Sequence, residues 1–360
     1  MFSRLFAWIN RYERHLSALA MVAGFIVDNI VFERVDLPTT QLVFLGYATT
    51  CFFSISILHF IESRAQEGQS RSRFRALLPI ATQFALGGFW SGFLIFYGRS
   101  AVVAASWPFL LLLVLVFLGN ELFHKYHDRL VLSSVLFFFA LYSYAIFTLP
   151  VYTHTLGMWT FLASGALAVV VFGFFTRFLR FIGRERFLMD VWRIRFGAFV
   201  VLVLINVFYF THILPPLPLA LQSGGIYHSV LRTGSTYAAS EEKQSWQVSF
   251  GKPASIHSVA GESLYAYSAV FAPTKLSTTI VHRWQRYNPT QKSWVTQSTV
   301  SFPINGGRDG GYRGYSIKTN PAPGEWRVEV ETGDGHLIGR IRFNLEQITA
   351  PVEQVQKTLD

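Results

Sequence analysis

One segment constrains this chain more than any other. Within residues 177–221, six arginines (Arg177, Arg180, Arg184, Arg186, Arg193 and Arg195) lead into an apolar run over 196–214 that breaks at Pro215, Pro216 and Pro218. A helix needs about 20 apolar residues to cross a hydrocarbon layer, and this run is nearly that long. The chain before it repeats the same pattern. The chain after it changes to short β-branched and aromatic runs, so this segment decides on which side of a bilayer the second part works.

Six further apolar runs precede it, at residues 16–32, 40–61, 77–97, 101–120, 130–149 and 156–175. The region 16–214 therefore reads as seven membrane spans. The first run is the shortest and carries Asp28 and Asn29. Residues 1–15 set Phe2, Leu5, Phe6 and Ile9 at helical spacing among Arg4, Arg11 and Arg14, the pattern of a basic helix lying in the interface. With 51% hydrophobic and 14% charged residues, the chain is too apolar for a soluble protein of its length.

Lys and Arg collect on cytoplasmic connections. Counting alternate connections puts fifteen of them on one side and only Arg34 and Arg99 on the other. With seven crossings, the N-terminus is then cytoplasmic and everything after residue 214 emerges on the far side. The arginines sit where apolar runs end, so the net charge of +10 points to lipid headgroups and not to nucleic acid. The single cysteine, Cys51, excludes an intramolecular disulfide, and the second part must hold together by its core.

Residues 215–243 are rich in Gly, Ser and Thr and read as a linker with at most one strand. Strands are predicted at 246–250, 264–271, 278–287, 293–303, 312–319, 326–331 and 337–345, separated by turn residues such as Asn288-Pro289, Asn305-Gly306-Gly307 and Gly333-Asp334-Gly335. Alternation is clearest in Trp326, Val328, Val330 and in Ile341, Phe343, Leu345, as one buried face requires. The expected fold is an α-helical polytopic bundle of seven spans followed by an all-β, immunoglobulin-like sandwich over 244–346, with 347–360 as a tail. A small barrel is the alternative for the β part.

Within that part, His282-x-Trp284, Gly306-Gly307-Arg308, Tyr312-Arg313, Ser316-x-Lys318, Gly324-x-Trp326-x-Val328, Gly335, Gly339 and Phe343 resemble the pattern of the bacterial domain of unknown function 2914. The region before it is similar to the seven-span domain of unknown function 5924. The resemblance implies a bacterial inner-membrane protein with a periplasmic C-terminal domain, and no activity.

Three constellations are candidates for function. Arg308, Tyr312, Arg313 and Lys318 lie in and after a glycine-rich loop, with His282, Trp284 and Trp326 as further candidates for the same surface. Such a group suits an anionic glycan, lipid headgroup or peptide terminus, while a plain strand crossover with solvated arginines and core tryptophans is the more ordinary account. In the membrane part, Asp28, Asn29, Asn206 and His212 are the polar candidates, with His154 beside them. An acid at a span centre costs about 2.5 to 3.5 kcal/mol on insertion scales, but Asp28 lies near a span end, where the cost is smaller. Glu121, His124 and His127, with His59 and Glu62, have a spacing compatible with metal, although anchoring at the interface explains them without a ligand. Gly88-x-x-x-Gly92 permits close helix approach within the bundle.

No Walker loop, nucleophile elbow, His-Glu-x-x-His or Cys-x-x-Cys pair is present, which lowers the expectation of an enzyme without closing it. No cofactor or metal is expected. The expected function is a membrane anchor that presents a periplasmic sandwich to an envelope protein, a glycan or an anionic lipid. The alternative is a transporter or intramembrane enzyme in which Asp28, Asn206 and His212 share a cavity and the sandwich acts as a regulatory cap.

Overall fold

The computed structural model describes residues 25–26, 28–30, 32, 34, 36–64, 73–100, 102–122, 130–216, 218–234, 236–242, 253–273, 275–307 and 310–359. The predicted interfacial helix over 1–15, most of the first span and the strand at 246–250 lie outside them. Contacts divide the chain into two units, Met1–Gly98 with Trp107–Tyr152 and Met158–Leu214, and Arg99–Ser106 with Thr153–Gly157 and Pro215–Asp360.

The first unit is helical. After helical residues at 25–26 and 28–30 come α1 (Pro38–Arg64), α2 (Arg73–Ser100), α3 (Val103–Leu122), α4 (Leu130–Thr153), α5 (Met158–Ile182) and α6 (Arg184–Phe210). Five of these, all but α3, are long and apolar enough to cross a membrane, while α3 has the shorter apolar stretch Ala105–Gly119. At about 1.5 Å per residue they reach beyond the ~30 Å hydrocarbon thickness. Rings fill the interior. Phe44 of α1 stacks on Phe93 of α2 at 5.5 Å and on Tyr144 of α4 at 5.6 Å, and meets Phe147 edge-on at 5.2 Å. The Gly88/Gly92 pair faces inward as expected: a Cβ on Gly88 would meet the Tyr47 ring and one on Gly92 the Phe44 ring.

The basic segment departs from expectation. The sequence suggested a loop over 177–195 with a last span beginning at 196, but α5 runs to Ile182 and α6 starts at Arg184, with Gly183 alone between them. Arg, Leu, Met and Glu are good helix formers, and no proline interrupts the segment. The arginines therefore ride on helix. Gly183 marks the break with a non-helical backbone (φ −152, ψ 61), and a side chain there would collide with His59 and Ser63. His59 Nε2 donates to the Gly183 carbonyl at 3.1 Å, and Arg186 is ion-paired to Glu62. The end of α1 is thereby fastened to the α5–α6 turn.

The second unit is built of strands: β1 (Ala220–Tyr227), β2 (Ser229–Thr233), β3 (Thr236–Glu242), β4 (Ala254–Val259), β5 (Ser263–Phe271), β6 (Ser277–Asn288), β7 (Ser293–Asn305), β8 (Tyr312–Thr319), β9 (Gly324–Thr332), β10 (Leu337–Ile348) and β11 (Gln354–Leu359). They form sheets of order β1-β5-β8, β4-β10-β9-β6-β7 and β11-β3-β2, with β4 and β10 parallel. The first two sheets face each other as a sandwich. Ile226, Leu264 and Ala266 from one pack with Trp284, Trp326, Val328, Phe343 and Leu345 from the other. The small third sheet covers the far side of β1-β5-β8 through Val230, Tyr237, Ala239 and Leu359 against Tyr227, Tyr267 and Ala269.

Two boundaries are therefore corrected. The segment read as a linker contains β1, β2 and β3, and the segment read as a tail supplies β11. β1 pairs along its length with β5, and β11 pairs with β3 from Gln354↔Glu242 to Leu359↔Tyr237. Backbone pairing and Leu359 give these strands an order that their polar composition does not announce.

Candidate functional site

The residues proposed for a binding surface separate into two groups. His282, Trp284 and Trp326 lie on β6 and β9 facing the core, at 0%, 0% and 2% exposure. They do not form a surface. Trp284 meets Trp326 and Phe343 edge-on at 6.4 and 6.3 Å. His282 bridges Ser268 (2.8 Å, Nε2) and Ser316 (2.9 Å, Nδ1), and the same Ser316 hydroxyl accepts from Trp284 Nε1 at 2.9 Å. Burial pushes the His282 imidazole down to about 4, so the ring is neutral and structural.

Tyr312, Arg313 and Lys318 lie on β8 and are all half-buried. Arg308 falls outside the described residues. The glycine-rich loop before β8 has a packing purpose. Gly306 lies so close to the Pro273 carbonyl that no Cβ fits, its N–H donates to Leu276 O at 2.7 Å, and Gly307 takes φ 104.

β8 is the terminal strand of its sheet and carries an exposed aromatic patch. Tyr315 (37%) and Ile317 (46%) are two of the four large exposed hydrophobics on the described strands. Tyr315 sits 5.9 Å from Tyr265 and 6.2 Å from Tyr237, ring to ring. The Tyr237 hydroxyl reaches the Arg313 carbonyl at 3.5 Å. Register places Arg313, Tyr315 and Ile317 opposite Ala269, Tyr267 and Tyr265, all on the face turned away from the sandwich core.

Several arginines of the sandwich pair with neighbours on the five-stranded sheet. Arg283 binds Glu331 at 2.7 Å, Arg340 binds Glu329 at 2.6 Å, and Arg327 donates to Gln285 at 2.6 Å while lying 4.5 Å over the Trp294 ring. Burial beneath these arginines pushes the Glu331 carboxyl up, with Arg283 opposing.

Sequence reading missed a histidine–carboxylate network. His228 Nε2 meets Glu242 at 2.9 Å and its Nδ1 meets Glu262 at 3.1 Å, while Glu242 also accepts from His257 Nδ1 at 2.7 Å and from its backbone N–H at 2.6 Å. Glu346 stands 3.7 Å from His257 Nε2. His228 thus bridges Glu262 and Glu242 through its two ring nitrogens. Burial alone raises the Glu242 carboxyl, but the bonds from His257 and His228 outweigh it and hold the group below its usual range. Among the described residues no His, Cys, Asp or Glu group is placed to hold a metal ion.

In the helical unit the polar candidates are held by different partners. Asp28 is half-buried, with Ser91 and Tyr47 among its neighbours. Asn206 donates to the Tyr142 hydroxyl at 3.2 Å and to Leu202 O at 2.8 Å. Asn29 and His154 are exposed, as is His212, which follows α6 with φ 56. The side chains of Glu121, His124 and His127 lie outside the described residues.

A family model described as a protein of unknown function, DUF2914, matches residues 277–345. The match takes in β6 to β9 and most of β10, and so includes β8. Among solved structures, an immunoglobulin-like protein from Pseudomonas aeruginosa aligns at 13% identity over 36% of this chain and 96% of that one, with TM-score 0.20. The alkylpurine DNA glycosylase AlkC of Pseudomonas fluorescens aligns at 9% identity over 87% of this chain and 99% of that one, with TM-score 0.24. A comparison with curated protein sequences returns no match.

Proposed function

We propose that this chain is a bacterial inner-membrane protein of seven spans, N-terminus cytoplasmic, that holds an immunoglobulin-like domain in the periplasm, where the β8 face binds an anionic envelope component. The observation that carries this is the exposure of Tyr315 and Ile317 beside Arg313 on a terminal strand. Aromatic faces suit sugar rings and guanidinium groups suit carboxylates, so an acidic cell-wall glycan fits the patch best. An envelope protein or a lipid headgroup is the competing outcome. The transporter or enzyme alternative draws less support, because Asn206 is engaged by Tyr142 and by Leu202 O while His212 lies exposed beyond the end of α6.

The seven-span reading rests on the five long helices, on α3 and on the helical residues at 25–26 and 28–30, together with the arginine asymmetry. It is the arrangement that the resemblance to the domain of unknown function 5924 implies. Binding is tested with the full chain in nanodiscs and purified acidic cell-wall glycan fragments. Changing Tyr315→Ala or Arg313→Ala should weaken capture by about tenfold, the cost of one stacking or charged contact, while Leu231→Ala leaves it unchanged. Equal capture by all variants would remove the β8 face from the proposal.

A further inference from the structure

We infer that the groove between α1, α4 and α5 is a binding site for a single hydrocarbon chain of a membrane lipid. The cavity measures about 460 Å³, within the range of ordinary ligand sites. Its floor is made by two small buried residues, Ala48 and Ala145, and its walls include Phe52, Phe137, Leu141 and Val171. Facing residues of α4 run from Phe137 to Tyr152, which is about 22 Å of helix at the standard rise. One leaflet of hydrocarbon is about 15 Å deep, so the groove accepts the full length of a chain.

The lining also decides the chemistry of the occupant. Four hydroxyls border the groove. Three are used within the bundle, Tyr144 donating to Gln41 O at 3.2 Å, Thr148 to Gln41 Oε1 at 2.9 Å and Thr49 to Gly46 O at 2.9 Å, and the fourth belongs to the exposed Tyr152 at the groove's end. What remains facing the space is carbon. Water held there would lack the two to four polar partners it requires, and a polar solute would lose its hydration without replacement. Hydrocarbon gains dispersion contacts that an empty groove forfeits. Polar groups gather at one end, where α1 begins near Gln41 and α4 ends near Thr148 and the exposed Tyr152. That end is the headgroup level, and the chain enters from the leaflet on that side.

This inference rests on the membrane embedding proposed above, and one experiment separates the two. The full chain is reconstituted in phosphatidylethanolamine–phosphatidylglycerol vesicles containing a phospholipid with a photoreactive acyl chain, and crosslinks are mapped by mass spectrometry. Crosslinks should concentrate in residues 45–53 and 137–152, above the level on the exposed face of α6 at Phe196, Phe199 and Val203. Filling the floor with Ala145→Phe should lower groove labelling by about tenfold, the loss expected from displacing a few methylenes, with α6 labelling unchanged. Ala48→Leu provides the same test if Ala145→Phe does not fold. Groove labelling no higher than that of α6, or unaffected by either substitution, would overturn the site. Absence of label on α6 as well would overturn the embedding instead.

Discussion

At His282 the imidazole replaces what would otherwise be an apolar filler between the two sheets, and it does so as a neutral ring held by Ser268 and Ser316. Its depressed basicity has a signed consequence. Unfolded, the ring takes a proton near 6.5; folded, only near 4. The unfolded state therefore binds the extra proton in between, and stability falls as pH drops from about 6.5 towards 4, by on the order of 3 kcal/mol. Thermal melts of the detergent-solubilised chain across that window should show the decline, and His282→Gln should flatten it. Trp284 is harder to replace. Trp284→Ala empties the centre of the sandwich and should cost about 3 to 5 kcal/mol, seen as rapid trypsin cleavage after residue 215. A solvent-facing tryptophan would show no such effect, which makes proteolysis a direct check on its placement.

Elements draw their order from different sources. Period-two alternation of apolar and polar residues made β9 and β10 legible: Trp326, Val328 and Val330 face the sandwich core, while Arg327 and Glu329 take the opposite face, where Glu329 is buried beneath Arg340. Glycine spacing likewise announced tight packing at Gly88 and Gly92, though not that the Tyr47 and Phe44 rings of α1 would fill the space. Nothing comparable marks β1 to β3 or β11. Gly224, Gly225, Ala239 and Ser240 lack the bulk of a strand that must bury its own face, and their order comes from the sheet they join. The network around Glu242 was invisible for another reason: its members are spread from His228 to Glu346 and meet only once β3, β4 and β10 are assembled.

Removing the carboxylate with Glu242→Gln should loosen the small sheet. The expected cost is about 1 to 3 kcal/mol, read as faster amide exchange in β3 and β11 with β9 unaffected. The Glu242 contribution is present above about 4.5, its ordinary value, and is lost as pH falls through its lower folded value. In α2, Gly92→Leu drives a side chain into the Phe44 ring and should abolish accumulation of the protein in membranes.

For the molecule as a whole, the arginine asymmetry makes a prediction that does not depend on any ligand. A reporter active only in the periplasm, fused after Asp360, should be on, and one fluorescent only in the cytoplasm should be dark. The opposite pattern would turn the β domain inward and remove its envelope partner. The one-residue break at Gly183 bears on how such a chain is made. With nothing but a glycine between a 25-residue and a 27-residue helix, there is no slack for one to settle in lipid while its successor waits in the translocation channel. On the proposed topology, the pair would leave the channel as a preformed hairpin, in a single event. Delivery of the β domain to the periplasm proposed for it would then be timed by the moment that hairpin enters the bilayer.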